Sequence, residues 1–340
     1  MKTQLTFVTC LAATLLASTA GHAGQVLDSV KASGTLACGV VTELNDETLD
    51  DTHGNLSALG ADMCRAVAAA MTDGKGHAKI LAYPTEAIAY QALQKGEIAL
   101  MEGGSPNPGL ARRYGVTYLT PVFFDGQGFL VHKNSGITSM KDLANKQVCF
   151  IDQTDAAMRV QAAENQTGIK MNYFPFSEVG EMEAALVGAR CDAQSHDVSE
   201  LANGRAAFHG RRNDFDILPD RLTIDPLAPV VRNGDAEFAR AVDWTFYALV
   251  QAQIDGVTQA NADQMRQSPD LFIQALLGVR RGMDWGLYLP QDWGYQAIKA
   301  VGNYGELFDR DAGAHSPLRL EAGPNRPWTE GGMLYAPPLK

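Results

Sequence analysis

The sequence predicts an α/β protein of two lobes joined by a double crossing. Three observations predict it. Strand and helix patterns alternate through the first third of the chain, the alternation restarts after Lys133, and four cysteines beyond the N-terminal stretch fall two to each unit. At 340 residues, 46% hydrophobic and 20% charged, the chain can bury the cores of two domains of ordinary size. A net charge of −11 argues against a nucleic-acid-binding surface and favours small-molecule or protein partners.

The first residues, "MKTQLTFVTCLAATLLASTAGHAGQV", place Lys2 ahead of an apolar stretch from Leu5 to Ala17, followed by small residues. This is the pattern of a secretory signal, with cleavage expected after Ala23 and Cys10 lost with it. The apolar stretch is too short to span a bilayer comfortably, and no later segment reads as membrane-spanning. Export makes the cysteines informative, because disulfides persist in an oxidising compartment. Cys38, Cys64, Cys149 and Cys191 allow three pairings, and spacing favours Cys38–Cys64 with Cys149–Cys191. No CxxC and no histidine pair at ligand spacing supports zinc, and no metal is expected.

"GTLACGV" (Gly34–Val40) reads as a buried strand. The stretch after it, Thr42 to Asn55, holds Glu43, Asp46, Glu47, Asp50 and Asp51 and reads as a loop. In "LGADMCRAVAAAM", Leu59, Met63, Val67 and Met71 recur four apart as an apolar helical stripe. "AKILAYP" is a second strand. "TEAIAYQALQKGEIAL" is a helix capped by Thr85 and stopped by Gly96, with a strand behind it. In the second unit, "SMKDLANKQVCFI" is helix then strand, and "EVGEMEAALVGARCDAQ" is a helix running into another strand. "FDGQGFLVHK" (Phe124–Lys133) and "DPLAPVVRNG" (Asp225–Gly234) read as the crossings; beyond Ala236 the pattern is helical, with a Pro/Gly-rich tail. The expected division is signal 1–23, first lobe 24–128, second lobe 129–226, and 227–340 returning to the first lobe. Such an arrangement leaves a cleft at the carboxyl ends of the strands, where open α/β sheets bind ligands, and a hinge that closes over it.

"GTLACGV", "MCRAVAAA", "FDGQGFLV", "MKDLANKQVC", "GARCDA", "DPLAPVVRNGD", "DWGYQAIKAVGNYGELFDR" and "WTEGGMLYAPPLK" together cover nearly the whole mature chain. They resemble the periplasmic solute-binding proteins of amino-acid ABC transporters, in the general L-amino-acid-binding branch. The resemblance implies a clamshell fold in the periplasm, a monomer without cofactor or enzymatic activity, and an amino acid handed to an inner-membrane permease. It also places all four mature cysteines in matching segments, which supports the two local disulfides.

A zwitterion needs a guanidinium for its carboxylate and an acid for its ammonium. Matching "PGLARRYGV" to the family's clamp segment gives Arg112, with Arg113 as the alternative. Matching "SHDVSEL" gives Asp197 for the ammonium, against the ordinary reading of Asp197 as a helix N-cap. The family's Gly-Thr-Thr stretch stands here as "QTDAAM", which keeps Thr154 but puts Asp155 where the ligand's carboxylate would dock. Its hydroxyl-lined strand end is replaced by "MEGGSPNPG", where Gly104 and Ser105, with Gly103, offer donors and Glu102 adds charge.

The family's aromatic lid falls at Glu47, so the acidic loop reads either as a solvated charge run or as the mouth of a site for a cationic amino acid or amine. An EF-hand fails on spacing. Two other classes remain: a sensor or partner subunit that has lost its small ligand, and a lyase using a cleft carboxylate such as Glu102 or Glu47 as base. No HExxH, P-loop or dinucleotide fingerprint favours enzymatic or cofactor chemistry.

Overall fold

A computed structural model of the chain describes residues 25–42, 56–208, 210–280 and 286–338. The expected signal with Cys10, and the acidic loop with Glu47, lie outside the described residues. Helix α1 (Gln25–Ser33) leads into strand β1 (Thr35–Val41). Then follow α2 (Leu56–Met71), β2 (His77–Tyr83), α3 (Glu86–Lys95), β3 (Leu100–Gly104), α4 (Pro108–Tyr114), β4 (Val116–Tyr118) and β5 (Phe123–Asp125). These strands and a late one, β11 (Asp225–Arg232), build a sheet of order β2-β1-β3-β11-β4, with β5 pairing β11. β1 runs parallel to β2 and β3, while β11 is antiparallel to β3, β4 and β5.

The second sheet, of order β10-β6-β9-β7-β8, holds β6 (Gln127–His132), β7 (Gln147–Ile151), β8 (Asn172–Phe176), β9 (Ala193–Asp197) and β10 (Phe215–Ile217). Helices α5 (Asp155–Thr167), α6 (Val179–Val187) and α7 (Val198–Ala207) connect and cover its strands. The remaining helices are α8 (Ala236–Ile254), α9 (Ala262–Met265), α10 (Leu271–Leu276), α11 (Trp293–Val301) and α12 (Tyr304–Asp311).

Local chemistry sets these elements. Thr85 caps α3 by accepting from the amide of Ile88, and Gly96 ends it in the left-handed conformation at φ 77°, as the sequence predicts. Helix α2 departs from its predicted stripe. It is buried on almost every face, because α11 and α12 cover the side that the sheet leaves open, and even Asp62 is buried. Asp62 is tolerated there because Arg65 at 2.5 Å and Arg310 of α12 hold it. β11 carries Pro229 in a central strand, and its register shifts between Ala228 and Val230, a bulge that accommodates the missing donor.

Cys38 and Cys64 bridge β1 to α2, and Cys149 and Cys191 bridge β7 to the segment before β9, with Cα separations of 6.3 Å and 6.0 Å. These are the two local pairs that spacing favours, and each staples one strand of its own sheet. The chain leaves the first sheet after Asp125 and enters the second at Gln127, then returns between Ile217 and Asp225. The two passages touch at Gly126 (φ +157°), where a Cβ would lie 2.1 Å from the carbonyl oxygen of Thr223. Only glycine fits that crossing.

Candidate ligand-binding cleft

A cleft of about 690 Å³ opens where the two sheets meet. The first sheet and its helices contribute Val40, Thr42, Ser57, Gly60, Glu86 and Glu102; α7 of the second contributes Ser199, Glu200 and Asn203. The strand ends and helix starts that face it are those that α/β topology exposes to ligands. Its described lining holds three carboxyl side chains, those of Glu86, Glu102 and Glu200, and no Lys or Arg.

Glu102 sits near the end of β3, paired in register with Val40 of β1, and is 2% exposed. Its side chain occupies space that Gly60 of α2 leaves, since a Cβ on Gly60 would stand 3.0 Å from its own Cβ. Among the described residues neither carboxyl oxygen has a hydrogen-bond partner, and burial holds the group well above the usual carboxylate range. Burial also raises Glu86, although the Ser105 amide donates to it.

The crossing strand supplies a different carboxyl. Asp125, buried at the end of β5, accepts the Ser199 hydroxyl at 2.5 Å, the Ser199 amide at 3.2 Å and the Gly126 amide at 2.9 Å. Burial raises this group too, against the pull of those donors. Asp125 thereby satisfies an orphan donor in the first turn of α7. Asp197 occupies the N-cap position of that helix but makes no capping bond. The ordinary N-cap explanation for Asp197 therefore does not describe its side chain.

Instead, Asp197 lies 3.7 Å from Arg159 Nη1, with its side chain 46% exposed. Arg159 also donates to Asp225 at 2.6 Å and pairs with Asp155 at 3.8 Å, so one guanidinium gathers three carboxylates at the crossing. Thr154 is engaged in local structure: its hydroxyl donates to the Ile151 carbonyl and caps α5 by accepting from the Ala156 amide. Gly104 is buried in the ladder opposite Ala228 and in close contact with Val230, whereas its neighbour Gly103 faces the cleft. Ser105 is exposed just beyond the strand.

Arg112 is exposed in the last turn of α4, as is Arg113, whose guanidinium lies 5.5 Å from the Tyr114 ring centroid. The structure thus groups Asp155, Asp197 and Asp225 around Arg159, leaves Thr154 as the cap of α5, and places Arg112 on a separate helix of the other lobe. None of Arg112, Thr154, Gly104, Ser105 and Asp197 is among the described residues lining the cleft. Asp125 and Arg159 were not singled out from sequence. The Asp155–Arg159 spacing of four on a helix was the available signal for the latter.

No family model matches the chain. It is 34% identical over 348 residues to the general L-amino acid-binding periplasmic protein AapJ of Rhizobium johnstonii, with 100% of each chain covered. It is 33% identical over 346 residues to the glutamate/glutamine/aspartate/asparagine-binding protein BztA of Rhodobacter capsulatus, again with 100% of each covered. Among solved structures, an ABC transporter periplasmic binding protein from Brucella ovis with glutathione bound superposes with a TM-score of 0.72 at 32% identity. That match covers 92% of this chain and 99% of the other. Full-length similarity at this level, on a fold with two sheets and a cleft between them, places the chain in the family of periplasmic solute-binding proteins of amino-acid ABC transporters.

Proposed function

We propose that this chain captures an amino acid, or a small amine or peptide related to one, by closing its two lobes, and delivers it to an inner-membrane ABC permease as a binder rather than an enzyme. The observation that carries this reading is the cleft itself, whose walls come from both halves of the fold. A double crossing with Gly126 at its contact point is the kind of hinge that closes such a cleft. In this reading Asp197, left free of capping duty, takes the ligand's ammonium, and Arg112 takes its carboxylate on closure, with Ser105 and Gly103 as neighbouring donors. Relatives named for L-amino acids and a neighbour holding glutathione, itself a small peptide, support the ligand class. Their being binding proteins of transporters supports the absence of catalysis.

A thermal-shift screen of the mature protein against the twenty amino acids and glutathione tests this. A ligand at a hundred times its Kd stabilises the native state by about 2.7 kcal/mol, which is a readily measured rise in Tm. A flat response to every compound would overturn the reading.

A further inference from the structure

We propose that Glu102 is the specificity-determining residue of this cleft: its carboxyl receives a cationic group of the captured solute, an ammonium, guanidinium or amidinium. The proposal rests on the solute-capture reading and names the chemistry of the solute.

Geometry carries it. A buried carboxyl with both oxygens unpartnered is unfavourable unless something satisfies it. Other buried or half-buried acids around the cleft are provided for. Asp62 has Arg65 and Arg310, Asp125 has Ser199 and Gly126, and Asp225 has Arg159 and Thr223. Glu102 is given room by the absent side chain of Gly60, and the cleft begins beside it at Val40 and Gly103. The fold makes space for this acid and lines it into the cavity, and the described residues supply no donor.

The charge around it selects the partner. β1 presents no free ionisable side chain to it. From α2 come Asp62 and Arg65, which are already paired, and across the cleft stand Glu86 of α3 and Glu200 of α7. From β11, Asp225 is held by Arg159, and Arg232 lies against Gly96 at the far end of α3. Among the described residues no cation stands within ion-pair distance of Glu102. Burial favours its protonated form. An incoming cation supplies the missing charge, the acid ionises, and the proton leaves to solvent. No covalent bond other than that O–H changes. A ligand with a neutral or anionic end in this position would leave the acid protonated and release nothing.

Titration calorimetry of the mature protein decides it, using L-arginine, L-citrulline, L-leucine and L-glutamate between pH 5.5 and 8, in two buffers of different ionisation enthalpy. The expected result is arginine bound at least tenfold more tightly than citrulline, its shape-matched neutral analogue. Where Glu102 is protonated in the free protein, about one proton should leave per arginine bound, and the Kd should fall about tenfold per pH unit. E102Q should lose both the proton release and the pH dependence. Glu86 is also shifted upward, so a release that survives E102Q assigns the proton elsewhere and overturns the proposal. Should E102Q fail to fold, the preference of the unaltered protein decides alone, because citrulline bound as tightly as arginine is incompatible with the proposal. Tight binding of citrulline, leucine or glutamate in preference to arginine sinks this inference and leaves solute capture standing. Binding of none of the four overturns this inference, and the capture reading falls with it only if the wider thermal-shift screen is flat as well.

Discussion

The cleft floor at Glu102 and the crossing at Asp125 treat a buried carboxyl in opposite ways. Asp125 is 8% exposed and accepts from two amides and a hydroxyl; Glu102 is 2% exposed and accepts from none of the described residues. One acid is spent on architecture, because its bonds to Ser199 fasten the start of α7 to the strand that leaves the first sheet. The other is left for something outside the fold to satisfy. The difference teaches that burial alone does not mark a functional acid. The presence or absence of donors from the protein separates a tie from a vacancy.

The largest expected effect breaks the tie. D125A removes the acceptor of two amides and a hydroxyl and strands the Ser199 and Gly126 amides in a buried setting, which costs about 3 kcal/mol of unfolding free energy. Urea unfolding at pH 7 measures it. A loss below about 1 kcal/mol would put Asp125 among ordinary surface acids and erase the contrast with Glu102.

The next effect has the opposite sign. Burial raises Glu102 in the native state, whereas in the unfolded chain it ionises near its ordinary value of 4.5. Between 4.5 and the raised native value, the native state therefore binds more protons than the unfolded one. Stability then falls as pH rises, by about 1.4 kcal/mol per pH unit. E102Q removes that slope, so its stability relative to the unaltered protein should rise as pH rises above 4.5, measured by urea unfolding at several pH values. Asp125 contributes a slope of the same sign, so the difference between the two proteins, not either curve alone, isolates Glu102. Parallel curves would mean that Glu102 is ionised and partnered after all.

What the sequence made legible and what it hid divide along the same line as local and long-range contact. Thr85 and Gly96 announced α3 because caps act within one turn. The cysteine pairing followed from spacing, and the alternation of strand and helix gave both sheets. The all-round burial of α2 was hidden, because α11 and α12 arrive from the far end of the chain. The cleft chemistry was hidden for the same reason. Asp125 meets Ser199 across 74 residues, and Arg159 meets Asp225 across 66, with no periodic pattern to announce either. At the strand end, Gly103 and Gly104 are adjacent in sequence, yet one faces the cleft and the other is locked opposite Ala228. Only the register of β3 on β11 tells them apart.

The smallest expected effect on stability sharpens the comparison by adding a third acid. Asp197 and Asp225 share the Arg159 guanidinium unequally. Asp225 accepts from it at 2.6 Å with a side chain 27% exposed, whereas Asp197 stands off at 3.7 Å and is 46% exposed. Asp225 also accepts from the Thr223 hydroxyl at 2.7 Å, so it is integrated into the crossing. D225N should therefore cost about 1.5 kcal/mol, in the range of a charged hydrogen bond. D197N loses only a long, half-solvated ion pair and should change stability by no more than about 0.5 kcal/mol. If Asp197 serves the ligand, its variant should nonetheless lose most of the ligand-induced rise in Tm, while D225N keeps a rise of ordinary size on a lower baseline. The two variants thus separate an acid held for binding from an acid held for structure. A D197N protein that unfolds as easily as D225N, yet binds its ligand unchanged, would transfer Asp197 to the structural side and leave the ligand's ammonium to another acid of the cleft.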